Sequence, residues 1–468
     1  MIEGLKPYAE YKESGLPWLG NVPAHWVTKR GKSYMTAIDR RSQAGKEELL
    51  TVSSARGVIP RNTAKVTMFK AESYAGYKLC WPGDLVINSL WAWGGGLGVT
   101  QHHGIISTAY SVYRPRPSAQ MNPRFLHELV RSSAFHWELQ VRSKGVWISR
   151  LQLTDTSFLD SPIPLPPPEE QAAIVRFLDH ANRKIDGFIR AKRKLIGLLN
   201  EQKQAIIHRA VTRGLHPDVP LKPSGIPWLG DIPKHWDVRP IKHWTKINAR
   251  TLGEATAASF EFRYIDIGAV RTGRLVAAPE VMRFDRSPSR ARRVLVAGDT
   301  IISTVRTYLK AVWFAGENPV NLVASTGFAV FSPLASVEPE YLSYVLQDSG
   351  FVDQVTGNSV GIAYPAIAES VLARLRIAIP PSRSEQVGII VAIKDQTGPL
   401  NTAISRTERE IALMQEYRTR LTADLVTGKL DVREAAAQLP APPNDAPAPD
   451  EPLEEIETEL EETNDASN

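Results

Sequence analysis

Two turn-rich stretches collect side chains suited to reading a nucleic acid. The first is Asn88-Ser-Leu-Trp91-Ala-Trp93 with the glycines after it, joined further on by Lys144, Trp147 and Arg150. The second is Ser303-Thr-Val-Arg306-Thr-Tyr308-Leu-Lys310, preceded by Arg271 and Arg274 in another turn-rich stretch. Arginine can pair bidentately with guanine, and aromatic rings can wedge or stack between bases. The plainer alternative stays open at this level: Trp91 and Trp93 as core, the arginines as solvated surface.

Charge supports a polyanionic partner. The 468 residues carry 56 Lys+Arg against 50 Asp+Glu. Residues 435–468 hold ten acids and no Lys or Arg, so the formal charge of residues 1–434 is +16. A basic body attracts DNA, although a solvated basic surface would count the same. The acidic tail reads as disordered, either a weak internal competitor for the DNA-binding surface or a solubility tail.

Catalytic signatures are missing. Gly31-Lys32-Ser33 has Trp26 where a phosphate loop needs its first glycine. Gly94-Gly95-Gly96-Leu97-Gly98 lacks dinucleotide-loop spacing and reads as a flexible loop. Adjacent His102 and His103 would point to opposite faces of a strand, a poor start for a metal site. No Asn/Asp-Pro-Pro-Tyr sequence occurs. One cysteine, Cys80, excludes a disulfide framework. No apolar run approaches the ~20 residues of a membrane span, and the expected address is cytoplasmic.

The chain repeats itself. Ser14-Gly-Leu-Pro-Trp-Leu-Gly-Asn-Val-Pro-Ala-His-Trp26 returns as Ser224-Gly-Ile-Pro-Trp-Leu-Gly-Asp-Ile-Pro-Lys-His-Trp236. Gly83-Asp84 returns as Gly298-Asp299, Pro123-Arg-Phe-Leu126 as Pro339-Glu-Tyr-Leu342, Glu170-Gln171 as Glu385-Gln386, and Val211-Thr212 as Val426-Thr427. One module of about 210 residues is duplicated.

Each module opens with a domain of short strands and helices (1–160 and 222–376), an α+β pattern. Each closes with a helical stretch (161–221 and 377–434). In the first stretch Ile174, Leu178, Ile185, Leu195, Leu199 and Ile206 fall on alternating steps of four and three, a coiled-coil seam. Ile404, Ile411, Met414, Leu421 and Leu425 do the same in the second. Gly398-Pro399 should break that second stretch into a short helix at about 385–396 and a long one from 399. Two such helices most simply pair with each other.

Taken together these motifs resemble the specificity (S) subunit of type I restriction-modification enzymes, over about residues 8–435. The resemblance rests on the duplicated order of Ser-Gly-x-Pro-Trp-Leu-Gly-x-x-Pro-x-His-Trp, Gly-Asp-x-x-Ile and Pro-Pro…Glu-Gln, closed by Val-Thr-Gly-Lys-Leu-Asp-Val-Arg433. It implies two target-recognition domains, each reading half of a split, asymmetric DNA site. It implies an antiparallel pair of helices between them, with pseudo-two-fold symmetry, that spaces the domains and docks two methyltransferase (modification) subunits. Restriction motor-nuclease subunits would join that complex. S-adenosylmethionine, ATP and Mg²⁺ would serve those partners, leaving this chain without cofactor or catalysis. On that reading Arg190, Arg193, Arg409 and Arg418 are candidates for partner docking, with Arg418 equally suited to the seam. A stand-alone DNA-binding scaffold and an enzyme with an unrecognised site are the competing readings.

Overall fold

The structure is a computed structural model that describes residues 5–63, 73–145, 151–316, 320–361 and 364–441. Trp147, Arg150 and the acidic stretch from residue 442 lie outside the described residues. The described part is α+β and forms two compact units, Met1–Arg190 with Ile411–Asn468, and Ala191–Glu410. Each unit therefore joins one mixed domain to parts of both long helical stretches.

Each Gly-Asp repeat builds a turn that starts a central strand. Gly83 and Gly298 take φ of +94° and +90°, which a side chain would resist. Asp84, 1% exposed, accepts the Trp81 backbone N–H at 2.9 Å and both arms of Arg114 at 2.7 Å. Asp299, equally buried, accepts the Val296 N–H at 2.8 Å, the Arg250 guanidinium at 2.7 Å and the Ser332 hydroxyl at 2.7 Å. Each buried carboxylate survives because it is paired and hydrogen-bonded.

The strands that follow sit inside matching four-stranded antiparallel sheets. In the first unit the order is Met35–Ala37, Tyr110–Pro115, Leu85–Asn88, Leu97–Val99. In the second it is Thr245–Ile247, Phe328–Pro333, Thr300–Ser303, Val312–Phe314. Successive residues of a strand point to opposite faces. So Leu85 and Ile87 enter one core while Val86 enters another, and Ile302 and Ile301 divide likewise. The second unit adds a four-stranded mixed sheet in which Glu261–Ile265 runs parallel to Leu322–Ser325. The first unit has two-stranded pairs instead, Lys78–Cys80 with Gly104–Ile106 and Leu50–Ser53 with Gly57–Pro60. Helices Pro123–Arg131 and Pro339–Gln347 start on proline and cover the sheets.

The long helices are Pro168–Arg213 and Arg383–Val426. Within the first unit, Ile174, Leu178 and Ala181 share a core with Leu421, Leu425 and Val426. Within the second, Ile207 and Ala210 share one with Ile389, Ile390 and Ile393, and Lys192 meets Glu410 at 2.7 Å. In each unit rising numbers on one helix meet falling numbers on the other, so the pairing is antiparallel.

Two expectations about these helices are corrected. Pro399 does not break the second helix, which is continuous. Gly398, lacking Cβ, relieves the usual crowding before proline, and the carbonyl left without its partner belongs to exposed Asp395, where water can reach it. The strict heptad seam also fails midway along the first helix. Burial continues through Ile185 and Ile189 to Ile207 and Ala210, the drift of a straight helix at 3.6 residues per turn. Leu195 is consequently 40% exposed, and Leu199 and Ile206 are half-buried. On the second helix Ile404, Leu421 and Leu425 are buried, while Ile411 and Met414 are half-buried.

Residues 435–439, expected as part of a disordered tail, are ordered. Arg433–Ala437 is helical, Ala436 is 2% exposed, and Leu439 packs against the first unit's core. Val432 and Ala436 lie in that core, with Ala435 and Leu439 packed against it.

Candidate nucleic-acid interface

The repeated motifs hold the domains to the helices. Glu170, at the start of the first helix, accepts the Trp26 indole N–H at 2.7 Å, the Tyr8 hydroxyl at 2.5 Å and a hydrogen bond with His25 Nε2 at 2.7 Å. Burial, then the contact with Glu170, pushes the Tyr8 pKa far up, so Tyr8 stays a donor. Glu385, starting the second helix, accepts from Trp236 at 2.8 Å and meets His235 at 2.9 Å. The neighbouring glutamines act as clamps. Gln171 accepts the Asn122 N–H at 2.7 Å and donates to the Pro166 carbonyl at 2.9 Å. Gln386 does the same with Glu338 and Pro380, at 2.6 and 2.8 Å.

The far helix ends reach the same tryptophans. Gly428, at φ +77° after the second helix, leaves no room for a Cβ, which would lie 2.4 Å from Pro23 and 3.1 Å from Trp26. Gly214, at φ +70° after the first, sits against Trp236. Each tryptophan thus meets the start of one helix and the end of the other. The sequence places Glu170 in a helical first turn by its charge; its role as a buried acceptor for three residues is visible only in three dimensions.

What does not repeat is carried on two loops per domain. In the first unit the turn from Asn88 closes on itself, with Gly96 accepting the Asn88 N–H at 2.8 Å. The glycines are packing residues here and not a flexible loop. A Cβ on Gly94 would lie 2.2 Å from the Trp91 indole nitrogen, and one on Gly96 would lie 3.0 Å from the Trp91 carbonyl. Trp91 remains 37% exposed beside Leu90 at 53%, so Trp91 is not core. Trp93 is half-buried and donates to the Leu90 carbonyl. Asn88 is half-buried, its side chain accepting the Leu90 N–H. Exposed Lys144 exchanges two backbone hydrogen bonds with Gln152, each 3.0 Å, and the next residue, Leu153, donates to the Ser89 carbonyl at 2.9 Å. The structure therefore brings Asn88, Trp91 and Lys144 to adjoining turns.

The second unit repeats that arrangement with other side chains. Arg306 and Lys310 both take φ of +50°, a left-handed conformation that costs a non-glycine residue roughly 1 kcal/mol or more. The loop is pinned by Thr307, whose hydroxyl bonds that of Ser359 at 2.8 Å. Arg306 lies over the ring of Tyr364, 5.0 Å from its centroid. Tyr308 is 53% exposed and Lys310 pairs with Asp353 at 2.9 Å. Val360 and Ala366 exchange backbone hydrogen bonds as Lys144 and Gln152 do, and Ile367 donates to Thr304 as Leu153 does to Ser89. Sequence reasoning missed Tyr364, 67% exposed on this second turn. Carrying Trp147 across the repeat offset would have pointed to it.

The hairpin of Arg271 and Arg274 adjoins that loop, the Thr272 hydroxyl donating to the Lys310 carbonyl at 2.6 Å. Arg274 is bound to Glu408 of the second long helix at 2.6 Å, and Arg271 donates to the Val270 carbonyl of its own hairpin at 2.9 Å. Both guanidiniums have partners within the second unit. Of the docking candidates, Arg418 is spent on Asp186 across the helix pair. Arg190 and Arg409 are exposed and Arg193 is half-buried. Among the described residues no group of three or more His, Cys, Asp or Glu is placed to hold a metal. No helix of the described residues is long and apolar enough to cross a membrane.

No protein-family model matches the chain. Its sequence is 22% identical over 306 residues to the type I restriction enzyme MjaVIII specificity subunit of Methanocaldococcus jannaschii, covering 63% of this chain and 68% of that one. It is 23% identical over 291 residues to the putative type I restriction enzyme MjaX specificity subunit of the same organism, covering 61% and 63%. The fold matches a solved chain from a study of complex assembly and conformational transition in a type I restriction-modification system. That match has a TM-score of 0.56 at 17% identity, covering 86% of this chain and 98% of the other. In its duplicated motifs and its sequence the chain is thus similar to type I restriction enzyme specificity subunits, and it shares the fold of the solved chain.

Proposed function

We propose that each domain reads one half of a bipartite, asymmetric DNA site, making the chain the DNA-specificity subunit of a type I restriction-modification complex. One observation carries this most. The residues that repeat between modules build the frame, while the two turns at equivalent places present Asn88, Trp91 and Lys144 in one unit and Arg306, Tyr308 and Tyr364 in the other. Two copies of one frame with different exposed side chains suit two unrelated half-sites. Base-edge contacts from those turns specify sequence, and phosphate contacts from the surrounding basic surface fix register.

The antiparallel helices set the distance between half-sites. Their outward residues, Arg190, Arg193 and Arg409 among them, dock two methyltransferase subunits, which restriction subunits then join. S-adenosylmethionine, ATP and Mg²⁺ belong to those partners, and this chain itself is non-catalytic. Replacing residues 12–160 with the recognition domain of a related chain should change one half-site in methylome sequencing. A change in both halves overturns the two-reader model. Purification without a methyltransferase, in cells that encode one alongside, overturns the assembly.

A further inference from the structure

Beyond Val432 the chain turns back along the first long helix. Arg176 donates to the Leu439 carbonyl at 2.5 Å. Pro440 then lines a cavity of about 330 Å³ with Val175, Asp179, His180 and Arg183. Pro440 and Ala441 line a second cavity, about 260 Å³, with His180, Arg183 and Lys184. Shared walls make the two one groove, and Ala441 leaves it beside the cations. Its acid, Asp179, is already paired with Arg124 at 2.6 Å. Arg183 and Lys184 are exposed and have no carboxylate partner among the described residues. The pKa of His180 is lowered, first by its partial burial and then by Lys184 and Arg183, so the cluster lacks counter-charge.

The next residues of the chain are anionic. Residues 442–468 contain ten acids and no Lys or Arg, and Asp445, Asp450 and Glu451 come first. Asp445 is four residues past Ala441, a reach of up to about 14 Å in an extended chain. We propose that the acidic segment 445–462 docks along this groove, Asp445, Asp450 and Glu451 supplying the counter-charge to Arg183 and Lys184. The prolines at 442, 443, 447, 449 and 452 favour an extended course of about 3.1 Å per residue, which continues the path of Leu439–Ala441 along the helix. The docked segment keeps DNA phosphates off this part of the basic body at low salt, and screening releases it.

Zero-length carbodiimide coupling of the full chain, without DNA, tests the seat directly. Mass spectrometry should find Lys184 joined to Asp445, Asp450 or Glu451 more often than any other lysine is joined to the tail. That yield should fall several-fold in 1 M NaCl and in Arg183→Gln, a change at an exposed position. Tail acids coupled equally to many lysines, or a yield indifferent to salt, overturn the proposal. A second measurement uses non-specific DNA at low salt. Deleting residues 442–468 should tighten binding several-fold, and the gain should vanish in an Arg183→Glu/Lys184→Glu background. If instead the double reversal weakens DNA binding equally with and without the tail, the face is a phosphate contact and the tail does not occupy it. The coupling result does not depend on which sequence the domains read, so it can fail while the specificity role stands.

Discussion

Trp26 donates its indole N–H to Glu170 across 144 positions of sequence, and the same bond recurs between Trp236 and Glu385. The two copies differ in burial: the Glu170 side chain is 3% exposed and that of Glu385 25%. Truncating an acceptor costs most where its donors cannot turn to water. Glu170→Ala should therefore destabilise the protein by about 2–4 kcal/mol and Glu385→Ala by less. Urea denaturation followed by tryptophan fluorescence measures both, and equal losses contradict the ranking.

His208 supplies a pH dependence confined to the second unit. Its ring bonds Asp348 at 3.0 Å, and that hydrogen bond raises its pKa despite partial burial. A raised folded pKa stabilises fully below the unfolded value near 6.5, and the contribution fades as pH rises through the folded value. His208→Gln should thus lower Tm at pH 5.5–6, and the gap to the parent should close at alkaline pH. A gap constant with pH would show that packing, not charge, holds this contact. The first unit has Ser132 where Asp348 caps its helix, so it has no equivalent pair.

The exposed turns make a contrast within one domain. Arg306→Ala and Tyr364→Ala should each weaken specific binding by about 1–3 kcal/mol and relax one half-site. Arg274→Ala removes an ion pair with Glu408 and should leave base preference unchanged. Competition binding against single-base variants of the site distinguishes these, and relaxed readout in Arg274→Ala would return that residue to the interface.

Lengthening both helices tests the ruler. One heptad inserted after Leu195 with a matching one near Ile411 adds about 10 Å, or roughly three base pairs. Methylome sequencing should report the same half-sites with a longer gap. An unchanged gap would remove the helices from that role.

Much of the fold was legible because the chain states its plan twice. The duplicated His-Trp and Glu-Gln residues mark clamps that partner one another, and Gly-Asp marks a turn whose carboxylate takes Arg114 in one copy and Arg250 in the other. Three features were not legible for physical reasons. Pro399 reads as a helix breaker because sequence does not show that the orphaned carbonyl faces solvent. Leu195 reads as seam because heptad and 3.6-residue spacing differ little over two turns and visibly over six. Arg274 reads as a DNA contact because its partner, Glu408, is 134 positions away. Of the exposed turns, position was inferable from glycine and turn residues. Which arginines are already spent on carboxylates required coordinates.

The first compact unit takes its helix partner and its closing residues from 411 onward. Leu421, Leu425 and Val432 fill the same core as Trp26 and Phe125. On the ribosome, residues 1–190 emerge before these exist. At about 5–20 residues per second, the roughly 220 intervening residues take about 10–45 s to synthesise. During that interval the faces of Ile174 and Leu178 have no mate, whereas residues 191–410 form a continuous stretch that can fold as it is made. The domain translated first is therefore the one completed last, and its nascent form exposes apolar helix faces for longest.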